Sequence, residues 1–205
     1  MSLNKKAIGL VFGGRSSEHE VSIKSAKTIF SALNTSENKK YFITNPIYID
    51  KSGFWWDFEF SKSIILKDAQ TQINNNLSKI SINKLTNLSN LSKKIDIWFP
   101  ALHGPNGEDG VIQGFFKLTG KPFVGSGVLG SSIGMDKIAM KSIFKSFNLP
   151  QANYLSLEKN NISDNKFIKN LIKNINKLIN YPCFIKPANL GSSIGITKAY
   201  NDKEL

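Results

Sequence analysis

Near-continuous apolar runs alternate along this chain with segments in which apolar residues recur every three or four positions. The runs predict buried β-strands, and the second pattern is typical of helices with one buried face. Buried strands separated by helices are characteristic of a parallel sheet in an α/β protein. The run at 54–58 follows a turn at 50–53 and is expected to return from it. The predicted strands cover residues 7–12, 41–49, 54–58, 95–102, 121–124, 154–157 and 183–187.

Helices are predicted between these strands. The first begins after Ser17, because Ser17 and Glu20 have the spacing of a capping box. Later helices are predicted at residues 132–147 and 164–179, whereas residues 61–94 resemble a variable surface excursion. The apolar faces of the first two helices are Ile23, Ala26, Ile29, Phe30 and Leu33, and Val111, Ile112, Phe115 and Phe116.

The composition fits a globular protein. Hydrophobic residues make up 40% of the 205 positions, which is enough for a substantial core. No apolar stretch reaches membrane-spanning length, and the run at residues 7–12 is too short for a signal peptide. The single cysteine, Cys183, lies in an apolar run and is expected to be a buried, unreactive thiol in a reducing compartment. We therefore expect a cytoplasmic protein without a membrane partner.

The formal net charge of +12 raises the alternative of a basic nucleic-acid-binding domain. Recognition of bases and phosphates favours arginine, but Arg15 is the only arginine and the lysines are scattered among Asn and Ser. Solvated lysines on helix faces explain the charge better, so no specific nucleic-acid partner is expected.

The segment KPANLGSSIGI at residues 186–196 has chemistry suited to a phosphate group. Lys186 stands at the end of a predicted strand, and the loop behind it offers backbone N–H groups and the hydroxyls of Ser192 and Ser193. The chain contains no P-loop pattern. A tight turn between two strands is the alternative interpretation of this segment.

The loop HGPNGEDG at residues 103–110 directly follows a predicted strand, where parallel sheets place their ligands. Glu108 and Asp109 fall at the start of the next helix, so capping and loop bracing explain these acids better than catalysis. Taken alone, His103 fits a structural hydrogen-bonding residue better than a ligand-binding one.

The segment GGRSSEHEVS at residues 13–22 also follows a strand and should open on the same edge of the sheet. Helix N-termini attract anions, yet this loop carries Glu18 and Glu20. A carboxylate there suits an ammonium group better than a phosphate. Because Glu20 fits the capping box, Glu18 is the acid expected to face the cleft; capping by both is the alternative.

The segment GSGVLG at residues 125–130 has the G-x-G-x-x-G pattern of a dinucleotide site. No acidic residue follows about 20 positions later to bind a ribose, and the pattern lies late in the chain. We interpret the segment as a hinge between a first domain, 1–125, and a second, 126–205. Lys137, shortly after it, supplies a second lysine for phosphates.

These segments, in this order, resemble the D-alanine–D-alanine ligases of the ATP-grasp superfamily. Each motif alone is only moderately specific, but four in sequence are highly specific. The resemblance implies an α/β protein with a Rossmann-like parallel-sheet substrate domain at 1–125, followed by an incomplete ATP-grasp domain at 126–205. The matching residues are 13–22, 103–114, 125–127 with 135–137, and 186–195.

The resemblance implies a chemistry for the residues singled out above. ATP phosphorylates the carboxylate of one D-alanine, and the amine of a second D-alanine attacks the acyl phosphate, which yields D-alanyl-D-alanine for peptidoglycan synthesis. By resemblance, Glu18 holds the ammonium group of the first D-alanine, and His103 lies beside that substrate.

The same resemblance implies an ATP site. Lys137 and Lys186 contact the ATP phosphates, and Ser192 and Ser193 lie in the loop over them. Ser192 is also implied in catalysis, because it is linked to Glu18 in the active-site network of the family.

The sequence departs from the family in one respect. The family continues through the rest of an ATP-grasp domain, which carries the Mg²⁺ ligands, whereas this sequence stops at Leu205. After Lys186 the only carboxylates are Asp202 and Glu204, in a polar tail, so this chain is expected to hold no Mg²⁺. We expect an N-terminal portion of a homodimeric ligase that is inactive alone. Its residues do not discriminate D-alanine from D-lactate as second substrate.

A non-catalytic small-molecule-binding module that has kept the site loops is an alternative, as is the nucleic-acid-binding domain. Weak D-alanine binding without ATP turnover would favour the module. A steep salt dependence of DNA binding would favour the nucleic-acid-binding domain.

Overall fold

A five-stranded sheet organises the first part of the chain. The computed structural model describes residues 4–66, 79–80, 90–158 and 164–205, and the chain forms two units, Met1–Ser132 and Ile133–Leu205. The elements of the first unit are β1 (Lys6–Gly13), α1 (His19–Leu33), a 3₁₀ turn (Asn38–Lys40), β2 (Phe42–Ile49), β3 (Trp55–Trp56), α2 (Phe58–Leu66), β4 (Lys79–Ile80), β5 (Ile97–Pro100), α3 (Val111–Leu118) and α4 (Val128–Met135), within which the boundary falls.

The strand order of this sheet is β4-β3-β2-β1-β5. β1 lies between β2 and β5 and runs parallel to both, with Gly9 opposite Asn45 and Trp98. The expected α/β fold with a parallel sheet is therefore confirmed at its centre. β3 and β4 are antiparallel, which makes the sheet mixed. The reason is the turn at residues 50–53: a short connection can only return the chain antiparallel.

Helices cover both faces of the sheet, which explains the continuous hydrophobicity of β1. Leu10 and Phe12 pack on one face against Ala26 and Phe30 of α1. Val11 points to the other face and belongs to a second core cluster with Trp98, Ile112 and Phe116. Both clusters are almost completely excluded from solvent. Adjacent residues of β1 are thus buried on opposite sides, as the alternation of side chains along a strand requires.

The described residues of the second unit form four further elements: α5 (Lys137–Ser146), α6 (Asn165–Leu178), β6 (Cys183–Ile185) and β7 (Thr197–Ala199). β6 and β7 pair antiparallel, and Ile175 of α6 packs on Cys183 and Ala199. The prediction that Cys183 is a buried thiol is confirmed. Asp164 caps α6 by accepting a hydrogen bond from the Lys166 N–H.

Three expectations about the elements are wrong. The helix predicted at 132–147 is broken into α4 and α5, because Asp136 is extended and caps α5 with its side chain. Residues 154–157 form no strand; Leu155 instead packs against the core of the second unit. The strand predicted at 121–124 is reduced to one bridge between Phe123 and Trp98.

The region 61–94 is only partly described. Residues 61–66 are not a surface excursion, because they belong to α2, in which Ser61 and Ile65 are buried. The interpretation of residues 67–78 and 81–89 lies outside the described residues. Among the helices that the structure describes, none has the length and apolar character needed to cross a membrane.

Gly9 provides a test of how tightly the sheet packs on its second face. A Cβ at Gly9 would lie 2.8 Å from Trp98 Cε3 and 3.1 Å from Ile95 Cδ1, and both side chains are buried. We expect Gly9→Ala to lower the free energy of unfolding in urea by about 1–3 kcal/mol through overpacking. Gly114→Ala is the control, because a Cβ there meets nothing within 4 Å and α3 should gain about 0.5–1 kcal/mol. Equal stability of Gly9→Ala and the wild type would contradict the packing described.

Candidate functional site

Two loops meet where β1 and β5 end side by side. The Ser16 hydroxyl donates a hydrogen bond to the His103 carbonyl, 2.9 Å away. A Cβ at Gly104 would lie only 2.5 Å from Glu18 Oε2. Glu18 and His103 therefore lie at one edge of the same sheet, as expected from strands that run parallel.

Glu18 is the N-cap residue of α1, but its side chain makes no capping hydrogen bond. The expected capping box between Ser17 and Glu20 is wrong, since the helix begins one residue later than this box requires. The Glu20 carboxylate instead pairs with Lys51 at 3.0 Å, with both side chains exposed. The Glu18 carboxylate reaches across to Gly104, where a larger residue would crowd it. The positive end of the helix dipole favours a negative charge at this position.

The His103 ring is held from two sides. Ser25 Oγ of α1 lies 2.9 Å from Nε2, and Glu108 Oε1 lies 3.8 Å from Nδ1. The carboxylate favours a proton on Nδ1, which leaves Nε2 to accept from the Ser25 hydroxyl. Sequence reasoning missed Ser25. The available indication was its spacing of three from Ser22, which places both hydroxyls on one face of α1.

Glu108 and Asp109 brace the loop that follows His103, as predicted for them. The Gly104 N–H donates to Glu108 Oε2 at 2.9 Å, and the Asn106 N–H donates to Asp109 Oδ2 at 2.7 Å. Gly104 and Asn106 both have positive φ values, 71° and 66°. The two carboxylates thus hold a backbone path that few residues adopt unaided.

His19 is a buried residue that supports the loop following β1, and sequence reasoning did not single it out either. It is 2% exposed; its Nδ1 lies 2.7 Å from the Gly14 carbonyl and its Nε2 lies 3.0 Å from the Tyr48 hydroxyl. A carbonyl only accepts, so Nδ1–H donates to it and Nε2 accepts from Tyr48. Burial raises the pKa of Tyr48, and the charges of Asp50 and Glu20 add to this effect.

In the second unit, Lys137 is tied to the segment that leads into the serine loop. Its backbone N–H donates to the Ala188 carbonyl at 3.0 Å, and its ammonium donates to the carbonyl of Leu190. Asp136, one residue earlier, accepts at 3.2 Å from the Asn189 side chain. The two motifs predicted to bind phosphates are therefore in contact.

Lys186 directly follows β6, as the sequence predicted, and its ammonium lies 5.6 Å from the centre of the Phe184 ring. Ser192 and Ser193 have left-handed backbones, with φ values of 50° and 61°. Gly195, at φ 70°, lies against Pro187, where a Cβ would approach Pro187 Cγ to 2.8 Å. Two consecutive non-glycine residues with left-handed φ values are uncommon, and such residues concentrate in functional loops.

The predicted site residues thus form two groups, one in each unit. Glu18 and His103 lie in the first, and Lys137, Lys186, Ser192 and Ser193 in the second. Among the described residues, no group of three His, Cys, Asp or Glu side chains is arranged to hold a metal ion.

Comparison with family models matches two segments of the chain. The model of the D-ala D-ala ligase N-terminus matches residues 7–126, and the model of the D-ala D-ala ligase C-terminus matches residues 143–205.

Curated relatives and solved structures agree with these matches. A D-alanine–D-alanine ligase of Prochlorococcus marinus strain NATL2A is 64% identical over 204 residues, which cover 100% of this chain and 57% of the relative. One from Synechococcus sp. strain CC9605 is 46% identical, over 97% of this chain and 56% of the relative. The crystal structure of the VanG D-Ala:D-Ser ligase from Enterococcus faecalis has a TM-score of 0.78 and 33% identity, over 98% of this chain and 57% of that one. The chain therefore spans little more than half the length of the proteins it matches.

The support of His103 by Ser25 is testable by NMR, because the chain has only two histidines. We expect Ser25→Ala to change the Nε2 chemical shift of His103, since the hydroxyl next to it is lost, and to leave His19 unchanged. Ring ¹⁵N spectra give both signals. Ser31→Ala, an exposed serine of the same helix, is the matched control. Unaltered His103 signals in Ser25→Ala would rule out this contact.

The pKa of Asp136 should lie below its ordinary value of 3.8, mainly because the Ala139 N–H donates a hydrogen bond to its carboxylate. A hydrogen bond from the Asn189 side chain lowers it further. Because the pKa is lowered in the folded state, the cap stabilises the fold fully at pH values above the ordinary pKa. This stabilisation is lost as the pH falls through the lowered pKa. The Ala139 amide proton shift should therefore titrate with a midpoint below 3.8, and Asp136→Asn should abolish that titration. A midpoint at or above the ordinary value would contradict the capping geometry.

Proposed function

The chain belongs to the D-alanine–D-alanine ligase family, and on this basis we propose that it supplies the first-substrate site and part of the ATP site of such a ligase. The reaction is an ATP-dependent ligation for peptidoglycan synthesis. The observation that carries the proposal is the meeting of the Glu18 carboxylate with Gly104 beside His103, at the end of two parallel strands.

The first substrate is a D-amino acid held by its ammonium group. Glu18 provides the negative charge for that group, and the absence of a side chain at Gly104 leaves the carboxylate room beside it. His103, with its ring held by Ser25 and Glu108, borders the same place. A fixed ring costs little entropy to position against a ligand, which supports a role in orienting D-alanine.

ATP activates the carboxylate of this substrate. Transfer of the γ-phosphoryl group to a carboxylate oxygen yields an acyl phosphate and ADP. The amine of the second substrate then attacks the carbonyl carbon, the C–O bond to phosphate breaks, and the ammonium proton is released. D-Alanine is the second substrate that we propose, whereas VanG is named a D-Ala:D-Ser ligase.

The phosphates of ATP carry several negative charges that the protein must balance. Lys137 and Lys186 are the cations proposed to do so, with Ser192 and Ser193 in the loop over the phosphates. The contacts of Lys137 with Ala188 and Leu190 support this assignment, because they hold one lysine against the serine loop. Ser192 and Glu18 are each proposed as catalytic residues.

Mg²⁺ would screen the phosphates during transfer. Among the described residues no group of three or more His, Cys, Asp and Glu side chains is arranged to hold a metal ion, and we propose that the Mg²⁺ ligands of the ligase lie outside this chain. No step is therefore assigned to the ion on these residues. We further propose domains at 1–125 and 126–205, a cytoplasmic location and a homodimeric assembly for the ligase.

A chimera tests the proposal. This chain is joined to the part of the Prochlorococcus marinus NATL2A relative that it does not span, and D-alanyl-D-alanine formation is measured. We expect the chimera to be active. Lys186→Met should lower kcat about 100-fold or more, because a group that stabilises transition-state charge is lost. Glu18→Gln should lower kcat/KM for the first D-alanine about tenfold or more, because the ammonium loses its counter-charge.

The matched controls are Lys24→Met and Glu59→Gln, exposed side chains on α1 and α2 that should leave the rates unchanged. The 205-residue chain alone is expected to form no dipeptide. D-Alanine binding by an inactive chimera would favour the non-catalytic module. Phosphate release by the 205-residue chain that depends on both ATP and D-alanine would refute its proposed inactivity.

A further inference from the structure

A cavity of about 300 Å³ lies beside the two loops of the first unit and is not used by the proposed reaction. This volume is within the usual range of small-molecule sites. His103 borders it, whereas Glu18, the proposed ammonium ligand, is not among its lining residues. The proposed function assigns no substrate group to this cavity, although the cavity shares His103 with the proposed first-substrate site.

The walls of this cavity are apolar and aromatic. Trp55 of β3 meets Phe115 of α3 edge to face, with 5.2 Å between ring centres. Ile49, Leu102 and Ile112 complete the walls, and all three are buried. Such a surface favours the apolar body of a ligand.

Arg15 is the cation at this cavity. Its aliphatic part lies across Gly53, where a Cβ would approach Arg15 Cδ to 2.7 Å. Among the described residues no carboxylate forms an ion pair with it. The lining side chains that the structure describes include Arg15 and His103 but no acid. The charge at this cavity is thus positive, on an exposed guanidinium.

The backbone around the cavity offers few further donors. Gly13, Gly14, Gly53 and Gly107 line it, and the N–H group of each already donates to an oxygen of the protein. A phosphate group usually requires several such donors. A carboxylate needs fewer, because one guanidinium binds both of its oxygens.

We propose that this cavity binds a small apolar carboxylic acid, with its hydrocarbon or aromatic part against Trp55 and Phe115 and its carboxylate on Arg15. The site goes beyond the proposed ligation. The pocket lies behind the loop that carries His103, so a bound acid would affect the position of that loop.

The probe is 4-(trifluoromethyl)benzoate, followed by ¹⁹F NMR with the 205-residue chain, and its neutral amide is the comparison ligand. We expect saturable binding of the acid with a Kd below about 1 mM, and binding of the amide about tenfold weaker or less. Arg15→Gln should weaken binding of the acid about tenfold or more. Lys24→Gln removes the same charge outside the cavity lining and should have no effect. Val111→Phe, which fills the cavity, should weaken both ligands.

Several results would overturn the site. They are an absence of saturable binding, equal binding of acid and amide, or an unchanged Kd in Arg15→Gln when circular dichroism shows that the variant is folded. Displacement of the probe by inorganic phosphate at similar concentrations would refute the carboxylate assignment. The titration contains neither ATP nor D-alanine, so its outcome is separate from that of the ligase proposal.

Discussion

The geometry of the first unit depends on the hydroxyl of one buried serine. Ser22 Oγ accepts a hydrogen bond from the Gly13 N–H at 2.8 Å and donates one to the Ala101 carbonyl at 2.6 Å. Gly13 is the last residue of β1 and Ala101 directly follows β5, and the two loops leave the sheet from there. A buried backbone group without a partner is costly, so Ser22 satisfies both groups and fixes the start of α1 over them. The relative positions of Glu18 and His103 follow from this junction.

A similar arrangement is found near Glu18 and Lys137, where a neighbouring side chain holds the backbone and the backbone positions the functional group. His19 donates to the Gly14 carbonyl and so fixes the loop that carries Glu18. In the second unit, Asp136 caps α5 and accepts from Asn189, which aligns Lys137 with the segment before the serine loop. These contacts involve charged or buried polar groups, whose hydrogen bonds are stronger than those between neutral groups in water.

Much of the fold could be predicted from the apolar pattern. β1, β2, α1, α3 and α6 were predicted correctly because their burial is dictated by periodicity along the element itself. One error arose where a polar side chain outweighs the apolar pattern: Asp136 interrupts a helical pattern by offering its carboxylate to two N–H groups. Helix α1 begins after Glu18 rather than after Ser17, without a side-chain cap. At residues 154–157 the apolar alternation serves packing alone, and no strand forms.

The sequence by itself determined the alternation of strands and helices, the family motifs and the residue types of the site, because these depend on neighbours along the chain. Only the tertiary structure decided which groups support them. Ser25 lies 78 positions from His103, and Lys137 lies 53 positions from Leu190, yet each pair is in contact. The cavity behind Arg15 is formed by strand, loop and helix residues from 13 to 115. Such contacts depend on how the layers pack, and that packing sums many weak interactions between residues distant in sequence.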